Sequence, residues 1–153
     1  MTTSKRSTQA WLLPVYNYRV VIGQDTLGFS EVSGLKVEYE AVTYRHGRSF
    51  LMGPKLIPGM QQNARVTLKR GVAKNSDFLA KWISATYAGA QSGQKHDIVI
   101  DLCDPSGMSV VRWVVVGAMP VKIEAPTFDA KSNEVAIETL ELVAADIRIS
   151  YLT

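Results

Sequence analysis

Apolar and polar side chains alternate along most of this chain of 153 residues, and the alternation predicts a fold made mainly of β-strands. Residues 15–22 are rich in aromatic and β-branched side chains and predict a first strand, which Gly23 ends. Residues 29–45 predict two further strand pieces, with a bend or bulge at Ser33–Gly34. Residues 63–70 alternate without interruption and predict another strand.

The second half of the chain predicts antiparallel hairpins. Residues 97–103 alternate, and the tight-turn sequence Asp104–Gly107 follows them directly. Residues 109–117 form the returning strand. This strand is apolar on both faces apart from Arg112, so we expect both faces to be covered, one of them by another subunit. The remaining segments are an irregular edge that contains Pro120 and Pro126, and two final strands at residues 133–143 and 145–151.

One stretch has helical rather than strand periodicity. Its apolar side chains recur every three or four residues and predict one buried face; they are Phe78, Leu79, Trp82, Ile83 and Tyr87. Ser76 is placed to cap the first turn, Asp77 adds a negative charge there, and Gly89 is a stop signal. We therefore expect a single helix packed against a sheet.

Residues 46–62 have no sustained period and contain two Gly–Pro or Pro–Gly signals, which predicts a long loop. Loops of this length without internal structure are uncommon in compact domains and usually serve a partner. Six large apolar side chains lie on it: Phe50, Leu51, Met52, Leu56, Ile57 and Met60. Because an exposed apolar loop is a liability unless another surface covers it, we interpret residues 46–62 as an extended inter-subunit loop.

Length and composition describe one globular domain over residues 1–153, with 46% hydrophobic and 20% charged residues. Residues 1–11 are predicted to be a flexible N-terminal arm. No apolar signal-peptide segment follows the polar N-terminus, so we expect synthesis in the cytoplasm without a signal peptide. No apolar run approaches the roughly 18 residues of a membrane span, so we do not expect an integral membrane protein.

The formal net charge of +3 is unevenly distributed along the chain. Residues 1–76 carry 11 basic and 4 acidic side chains, whereas residues 77–153 carry 6 and 10. This polarity suits copies of one chain that dock basic face to acidic face. A nucleic-acid patch would use Lys69, Arg70, Lys74 and Lys81 with Trp82 and Tyr87. The two aromatic residues are needed for the buried helix face, so we predict no specific nucleic-acid binding.

No pattern of residues predicts catalysis. His46 and His96 lie in presumed loops without metal-ligand spacing, and no glycine-rich phosphate-binding motif occurs. The single cysteine, Cys103, excludes an internal disulfide and a multi-cysteine metal site, and we interpret it as a small, half-buried side chain. We therefore predict no catalytic, cofactor or metal site and a protein that is not an enzyme.

Three aspartates invite interpretation as a carboxylate site: Asp97, Asp101 and Asp104. Asp97 and Asp101 share a strand face, yet neither EF-hand spacing nor a partner acid or base accompanies them. We interpret Asp97 and Asp101 as residues of a solvated strand edge and Asp104 as the cap of the tight turn.

Four stretches of the chain resemble one protein family. They are Gly28–Leu35 with Val37–Tyr39, Val66–Val72, Val111–Lys122 and Pro126–Leu142. Within them lie the motifs F-x-x-V-S-G-L, T-L-K-R-G-V and S-N-E-V-A-I-E, in this order and with no block missing over about residues 12–145. The chain resembles the tail tube proteins of contractile phages and, more closely, those of extracellular contractile injection systems of the antifeeding-prophage type.

This resemblance implies a split antiparallel β-barrel or sandwich with one flanking α-helix, related in shape to the type VI secretion tube protein. It implies homo-hexameric rings in which strands of neighbouring subunits join into one inner barrel. It further implies that rings stack into a hollow tube inside a sheath, whose contraction drives the tube through a target membrane. The implied partners are the sheath, baseplate or spike and terminator proteins, with protein cargo in the lumen of a particle that is released from the cell.

The assembly hypothesis assigns candidate residues to two kinds of surface. The subunit and ring interface would use the six apolar side chains of residues 46–62 together with Val114 and Val116. A water-filled lumen requires polar inward faces; the candidates are Lys36, Glu38, Glu40, Arg65, Thr67, Lys69, Glu134 and Glu138. Each lumen candidate equally suits a face turned toward outer solvent or the sheath.

Two alternatives remain open at this point. One is a type VI-like secreted, ring-forming effector carrier, which needs no phage-type sheath. The other is a small hydrolase or binding enzyme that uses Cys103 and a histidine. Residues 46–62 also exceed what a minimal tube subunit needs, so they either pack between rings or mark a specialised ring next to the baseplate.

Overall fold

The computed structural model describes residues 12–45, 47, 53–72, 77–88 and 95–152 of the chain. Within these ranges lie ten β-strands and one α-helix. In chain order they are β1 (Tyr18–Ile22), β2 (Asp25–Leu27), β3 (Glu31–Ser33), β4 (Tyr39–Tyr44), β5 (Lys55–Gln61), β6 (Ala64–Gly71), α1 (Phe78–Tyr87), β7 (His96–Cys103), β8 (Ser109–Glu124), β9 (Ile137–Ala144) and β10 (Asp146–Tyr151). The fold is therefore mainly β, as the alternation of side chains predicts.

Eight strands form one antiparallel sheet in the order β2–β1–β7–β8–β9–β6–β3, with β10 also paired to β8. The 16-residue strand β8 belongs to both halves of this sheet. Its first part pairs with β7 and β10, and from Met119 onward it pairs with β9. We call β1, β2, β7, β10 and the first part of β8 the first half, and the remainder of β8 with β9, β6 and β3 the second half.

The length of β8, which runs to Glu124, corrects the prediction of an irregular edge from Pro120 to Pro126 for all but its last two residues. Gly117 has φ +63°, in the left-handed region where glycine alone is unstrained, and it lies where the strand passes from one half to the other. Pro120 follows inside the strand, next to a shift of register between Pro120 and Lys122. Proline is tolerated at such irregularities because the ladder there does not need its missing N–H.

The inner faces of the two halves pack against each other in one hydrophobic core. The first half contributes side chains such as Ile22, Ile98 and Val115, and the second half contributes Leu68 and Leu140; each of these is fully buried. The prediction of an antiparallel, split sandwich with one flanking helix is confirmed, and the sheet does not close into a complete barrel.

Helix α1 packs most of its apolar face against this core, but Tyr87 is 59% exposed, so its predicted place on the buried face is wrong. Leu79, Trp82 and Thr86 are buried, and the Thr86 hydroxyl donates a hydrogen bond to the Trp82 carbonyl at 2.8 Å. The helix begins after Asp77, which occupies the N-cap position, so the prediction of Ser76 as the cap is wrong; Ser76 itself lies outside the described residues. The Asp77 carboxylate instead pairs with the Lys81 ammonium at 3.0 Å, one helical turn later.

The hairpin between β7 and β8 turns at Asp104–Gly107, as predicted. The Asp104 carboxylate accepts hydrogen bonds from the Ser106 hydroxyl at 2.6 Å, from the Ser106 amide at 3.0 Å and from the Met108 amide at 2.9 Å. These bonds hold the pKa of Asp104 below its ordinary value, with the Ser106 hydroxyl as the largest cause. The interpretation of Asp104 as the cap of the turn is confirmed.

The predicted strand at residues 133–143 begins later than expected. Strand β9 starts at Ile137, and residues 125–136 form an irregular segment. Local side-chain bonds explain the difference, because the Asp129 carboxylate accepts from the Lys131 amide at 3.0 Å and the Ser132 hydroxyl accepts from the Glu134 amide at 3.1 Å. Such bonds compete with a strand ladder for the backbone.

Candidate assembly surfaces

Strands β4 and β5 form a two-stranded antiparallel ribbon separate from the main sheet. Within the described residues they pair only with each other, and a register shift between Tyr39 and Ala41 bulges the ribbon. All six residues of β4 are exposed, and β5 is exposed apart from partial burial at Gly59 and Gln61. We call β4 and β5 the ribbon, and the main sheet with α1 the body.

The ribbon carries large apolar side chains on surfaces that its own subunit leaves uncovered. Leu56 is 75% exposed and Met60 is 82% exposed. The other exposed apolar side chains of this region are Val37, Tyr39, Val42, Tyr44 and Ile57. An uncovered apolar surface on a protein usually marks an interaction site.

These observations revise the interpretation of residues 46–62. The prediction of a loop is wrong for Lys55–Gln61, which is strand β5. Sequence periodicity failed here because a ribbon without a buried face needs no alternation of polar and apolar side chains. Three of the predicted interface residues, Phe50, Leu51 and Met52, lie outside the described residues.

The base of the ribbon is attached to the body by specific bonds. The Gln62 amide donates to the Glu38 carbonyl at 2.8 Å, which closes the ribbon at its base. The Gln61 side-chain amide donates to the Asp146 carboxylate at 2.6 Å, and this bond is the main reason that the pKa of Asp146 lies below its ordinary value. At Gly34, with φ +86°, a side chain would collide with the Arg65 carbonyl, so the predicted bend needs glycine.

Three of the predicted lumen residues belong to the ribbon or its base. Lys36 and Glu38 form an exposed ion pair of 3.2 Å just before β4, and Glu40 lies on β4. All three are exposed. They are therefore not on the same surface as the other lumen candidates, which lie in the body.

The outer face of the first half contains Val114 and Val116, which were predicted to lie at an interface. Both are half-buried, whereas Val115 between them points into the core. The register places Val21, Val99 and Val114 side by side across three strands of this face. The expectation of two apolar faces on β8 therefore agrees with the burial of its side chains, and the interface role of Val114 and Val116 stays a prediction.

The same outer face holds a polar network around Asp101. Arg112 donates two hydrogen bonds to the Asp101 carboxylate, from Nε at 2.8 Å and from the terminal nitrogen at 3.0 Å. The Ser109 hydroxyl donates to the same carboxylate at 2.9 Å and accepts from Arg19 at 2.8 Å. Asp101 is only 5% exposed, so its interpretation as a solvated edge residue is wrong.

These hydrogen bonds hold the pKa of Asp101 below its ordinary value, and the bonds from Arg112 are the largest cause. The same pairing raises the pKa of Arg112 above its ordinary value. A buried carboxylate needs this compensation, because an uncompensated charge would be strongly destabilising. Asp101 thus serves the stability of the fold, and among the described residues no group of acidic, histidine or cysteine side chains could hold a metal ion.

The outer face of the second half carries the lumen candidates Arg65, Thr67 and Lys69, which alternate on β6 with core side chains. Glu138 lies on the opposite face of the sheet, where it accepts a 2.6 Å bond from the buried Arg70. Glu134 is exposed in the irregular segment before β9. The lumen candidates of the body therefore belong to different surfaces, and only the β6 set shares one face.

Residues 14–148 match the family described as T4-like virus tail tube protein gp19. The chain belongs to this family. The resemblance inferred from sequence motifs is thus confirmed, and the chain is a tail tube protein of contractile injection systems, a structural rather than an enzymatic class. The alternative of a small hydrolase is therefore wrong.

Solved structures of contractile particles contain chains similar to this tail tube protein over nearly their whole length. One is from the cap that terminates the tube of the anti-feeding prophage, with 30% identity, a TM-score of 0.85 and coverage of 94% of this chain and 93% of that chain. Another is from the extended sheath–tube complex of the extracellular contractile injection system PVC, with 29% identity, a TM-score of 0.85 and coverage of 99% and 100%. Comparison with curated proteins finds no match.

More distant structures share the fold alone. Hcp1 from Flavobacterium johnsoniae has 16% identity and a TM-score of 0.60, with coverage of 90% of this chain and 97% of that chain. A type six secretion system protein has 12% identity and a TM-score of 0.55, with coverage of 89% of this chain and 83% of that chain, so the likeness of shape expected from the sequence is confirmed. In the described part of the tail tube protein, no helix has the length and apolar character of a membrane span.

Sequence reasoning missed two surface features of the tail tube protein. An open, largely apolar cleft of about 660 Å³ lies between residues 15–18, β3 and the first half of the sheet; its lining includes Tyr16, Tyr18, Phe29, Leu35 and Trp113. Phe128 projects from the irregular segment before β9 and is 85% exposed. The only signal in the sequence was the aromatic residues themselves, which a buried core would also contain.

Proposed function

We propose that this tail tube protein assembles into homo-hexameric rings that stack into the hollow inner tube of a contractile injection particle. The observation that carries the proposal is the exposed, apolar ribbon on a chain similar over its whole length to chains of sheath–tube and tube-cap assemblies. An isolated subunit leaves this ribbon uncovered, and a second copy of the chain is the partner that a tube supplies.

Ring closure would use the free edges of the second half. In the described residues, β3 pairs only with β6, and β8 beyond Ala118 has a strand neighbour only in β9. Each subunit therefore offers two different strand edges at opposite ends of one four-stranded sheet. When one edge of each copy pairs with the other edge of the next copy, the contact is heterologous. Such contacts form a ring if the rotation from one copy to the next brings the last copy back to the first. It also removes edges that otherwise invite uncontrolled pairing.

Stacking of rings would use the ribbon. The base of the ribbon, at Gln61 and Gln62, fixes the direction of the ribbon relative to the body. The adjacent ring would cover the apolar side chains of the ribbon. In this arrangement the interface candidates Leu56, Ile57 and Met60 lie between rings, and Phe50, Leu51 and Met52 continue the same segment of chain. The asymmetry of charge between the two halves of the chain would favour head-to-tail stacking.

Sheath, baseplate or spike, and terminator proteins would be the partners of the assembled tube, and sheath contraction would drive the tube through a target membrane. Similar chains in sheath–tube and tube-cap assemblies support the sheath and terminator proteins as partners, and a chain of like fold in the anti-feeding prophage baseplate supports the baseplate. The tube would be made in the cytoplasm, carry protein cargo and leave the cell within the particle. A type VI-like carrier is supported by likeness of fold alone.

Electron microscopy of the purified protein tests the proposal. We expect wild-type protein to form rings and stacked tubes, and a Leu56→Ser, Met60→Ser double variant to keep the monomer fold but lose stacking, because the apolar contact between rings is gone. Thr43→Ser on the same ribbon is the matched control and should stack normally. A wild-type protein that stays monomeric at high concentration, alone and with sheath protein, would contradict the proposal.

A further inference from the structure

The middle of the outer face of the second half is polar across four strands. The register aligns two complete rows of side chains on it. The first row is Glu31, Lys69, Thr139 and Glu124, and the second is Ser33, Thr67, Glu141 and Lys122. No apolar side chain interrupts either row, although the flanking rows of this face hold Val143 and Met119 beside Arg65 and Ile137 beyond Thr139. The outer face of the first half instead has Val21, Val99 and Val114 in one central row.

The charges on this face neutralise one another pairwise. Lys69 lies 3.5 Å from Glu31, Lys122 lies 3.3 Å from Glu124, and Arg65, in the adjoining row, lies 2.9 Å from Glu141. Three cations and three anions therefore give the face a net charge of zero. All three pairs are partly or largely exposed, so they contribute little to the stability of the fold.

We infer that this face is the wall of the tube channel, and that its balanced charge lets polypeptides of either net charge pass without binding. The inference rests on the proposed function, because a channel exists only in an assembled tube. Of the two outer faces, this one can remain in water, while the apolar row of the other is better covered. The face also lies between the two free strand edges, so ring closure would make it continuous around the channel.

The charge balance has a physical consequence for transport. A channel lined by one sign of charge focuses its potential and concentrates molecules of the opposite sign. At distances beyond a few ångströms, the electrostatic potentials of two closely spaced opposite charges cancel, and salt screens the remaining potential. A wall of this kind would select cargo by size, and passage would depend weakly on the net charge of the cargo and on salt.

Labelling of cysteine variants in assembled tubes tests the position of the face. Ser33→Cys and Thr67→Cys place thiols on it, while the native Cys103 is buried. We expect a small maleimide to label both variants in tubes, and a maleimide carried on a large folded protein to label them only in disassembled subunits. Labelling of tubes by both reagents would place the face outside, and labelling by neither would place it in a dry interface; either result overturns the inference.

Charge variants test the balance. Glu31→Lys with Glu141→Lys changes the face from three cations and three anions to five and one, whereas Glu31→Lys with Lys69→Glu exchanges a pair and keeps the balance. We expect tubes of the first variant to retain an acidic peptide about tenfold more than a basic peptide at low salt, and wild-type and exchanged tubes to retain both equally. A strong preference of wild-type tubes for one sign would overturn the inference, while failure to form tubes at all would count against the proposed function instead.

Discussion

The body and the ribbon use apolar side chains in opposite ways. In the body, Val66, Leu68 and Leu140 are fully buried against partners from the other half of the sheet. In the ribbon, Leu56 and Met60 are among the most exposed apolar side chains of the described residues. The body thus contains the hydrophobic core, whereas the ribbon exposes its apolar side chains to solvent.

The difference follows from the number of layers. A sheet is stable when at least one of its faces packs on another element, and the body achieves this by folding its two halves and α1 together. A two-stranded ribbon has no second layer of its own and is marginally stable in water. Its base is attached to the body by the hydrogen bond from Gln61 to Asp146.

The largest effect should come from opening a cavity in the body. We expect Leu140→Ala to lower the free energy of unfolding by about 3 kcal/mol, because the side chain is fully buried and its loss leaves a cavity. The matched change in the ribbon, Leu56→Ala, should alter it by about 0.5 kcal/mol or less. Denaturant unfolding of both subunits under conditions that prevent assembly checks this; equal losses would show that the ribbon packs inside its own subunit.

A smaller effect is expected at the polar network of the body. Asp101→Asn removes the charged acceptor of Arg112 and Ser109 and should lower the free energy of unfolding by about 1–2 kcal/mol. The pKa of Asp101 is depressed in the folded state, so its contribution is present above the unfolded pKa of about 3.9 and is lost as pH falls through the folded pKa.

Unfolding measured from neutral to acidic pH tests this contribution. The wild-type protein should lose stability on acidification more steeply than Asp101→Asn, so that the two curves converge at low pH. Thr43→Ser on the ribbon serves as control and should follow the wild-type curve. Parallel curves for wild type and Asp101→Asn would mean that the carboxylate is not ionised and bonded as described.

The smallest effect should appear at the junction of ribbon and body. Gln61→Ala removes the bond to Asp146, and we expect amide hydrogen exchange in the ribbon to become about fivefold faster with little change in global stability. Gln62→Ala is the control, since Gln62 bonds to Glu38 through its backbone amide, which the substitution keeps. An unchanged rate of amide hydrogen exchange in Gln61→Ala would show that the bond between Gln61 and Asp146 does not hold the ribbon.

Alternation of side chains predicted those strands of the body whose inner face lies in the core along their length, but it missed β2 and the second part of β8 and placed the start of β9 too early. Strand β6 is the clearest case, with Ala64, Val66 and Leu68 buried and Arg65 exposed. The tight turn at Asp104 was equally predictable, since its bonds are local in sequence. The motifs from Phe29 to Glu138 were enough to predict the tail tube family, which the match over residues 14–148 confirms.

Only the tertiary structure shows which residues far apart in the sequence come into contact. The sequence could not show that Asp101 is buried, because Arg112 and Ser109 reach it across a hairpin register. Nor could it show that residues 55–61 form a strand, since a ribbon without a core face leaves no periodic signal. The grouping of Glu31, Lys69, Glu141 and Lys122 on one face likewise depends on strand order. Turns and strand alternation depend on neighbouring residues and can be predicted from the sequence. Contacts between distant strands exist only once the sheet has formed.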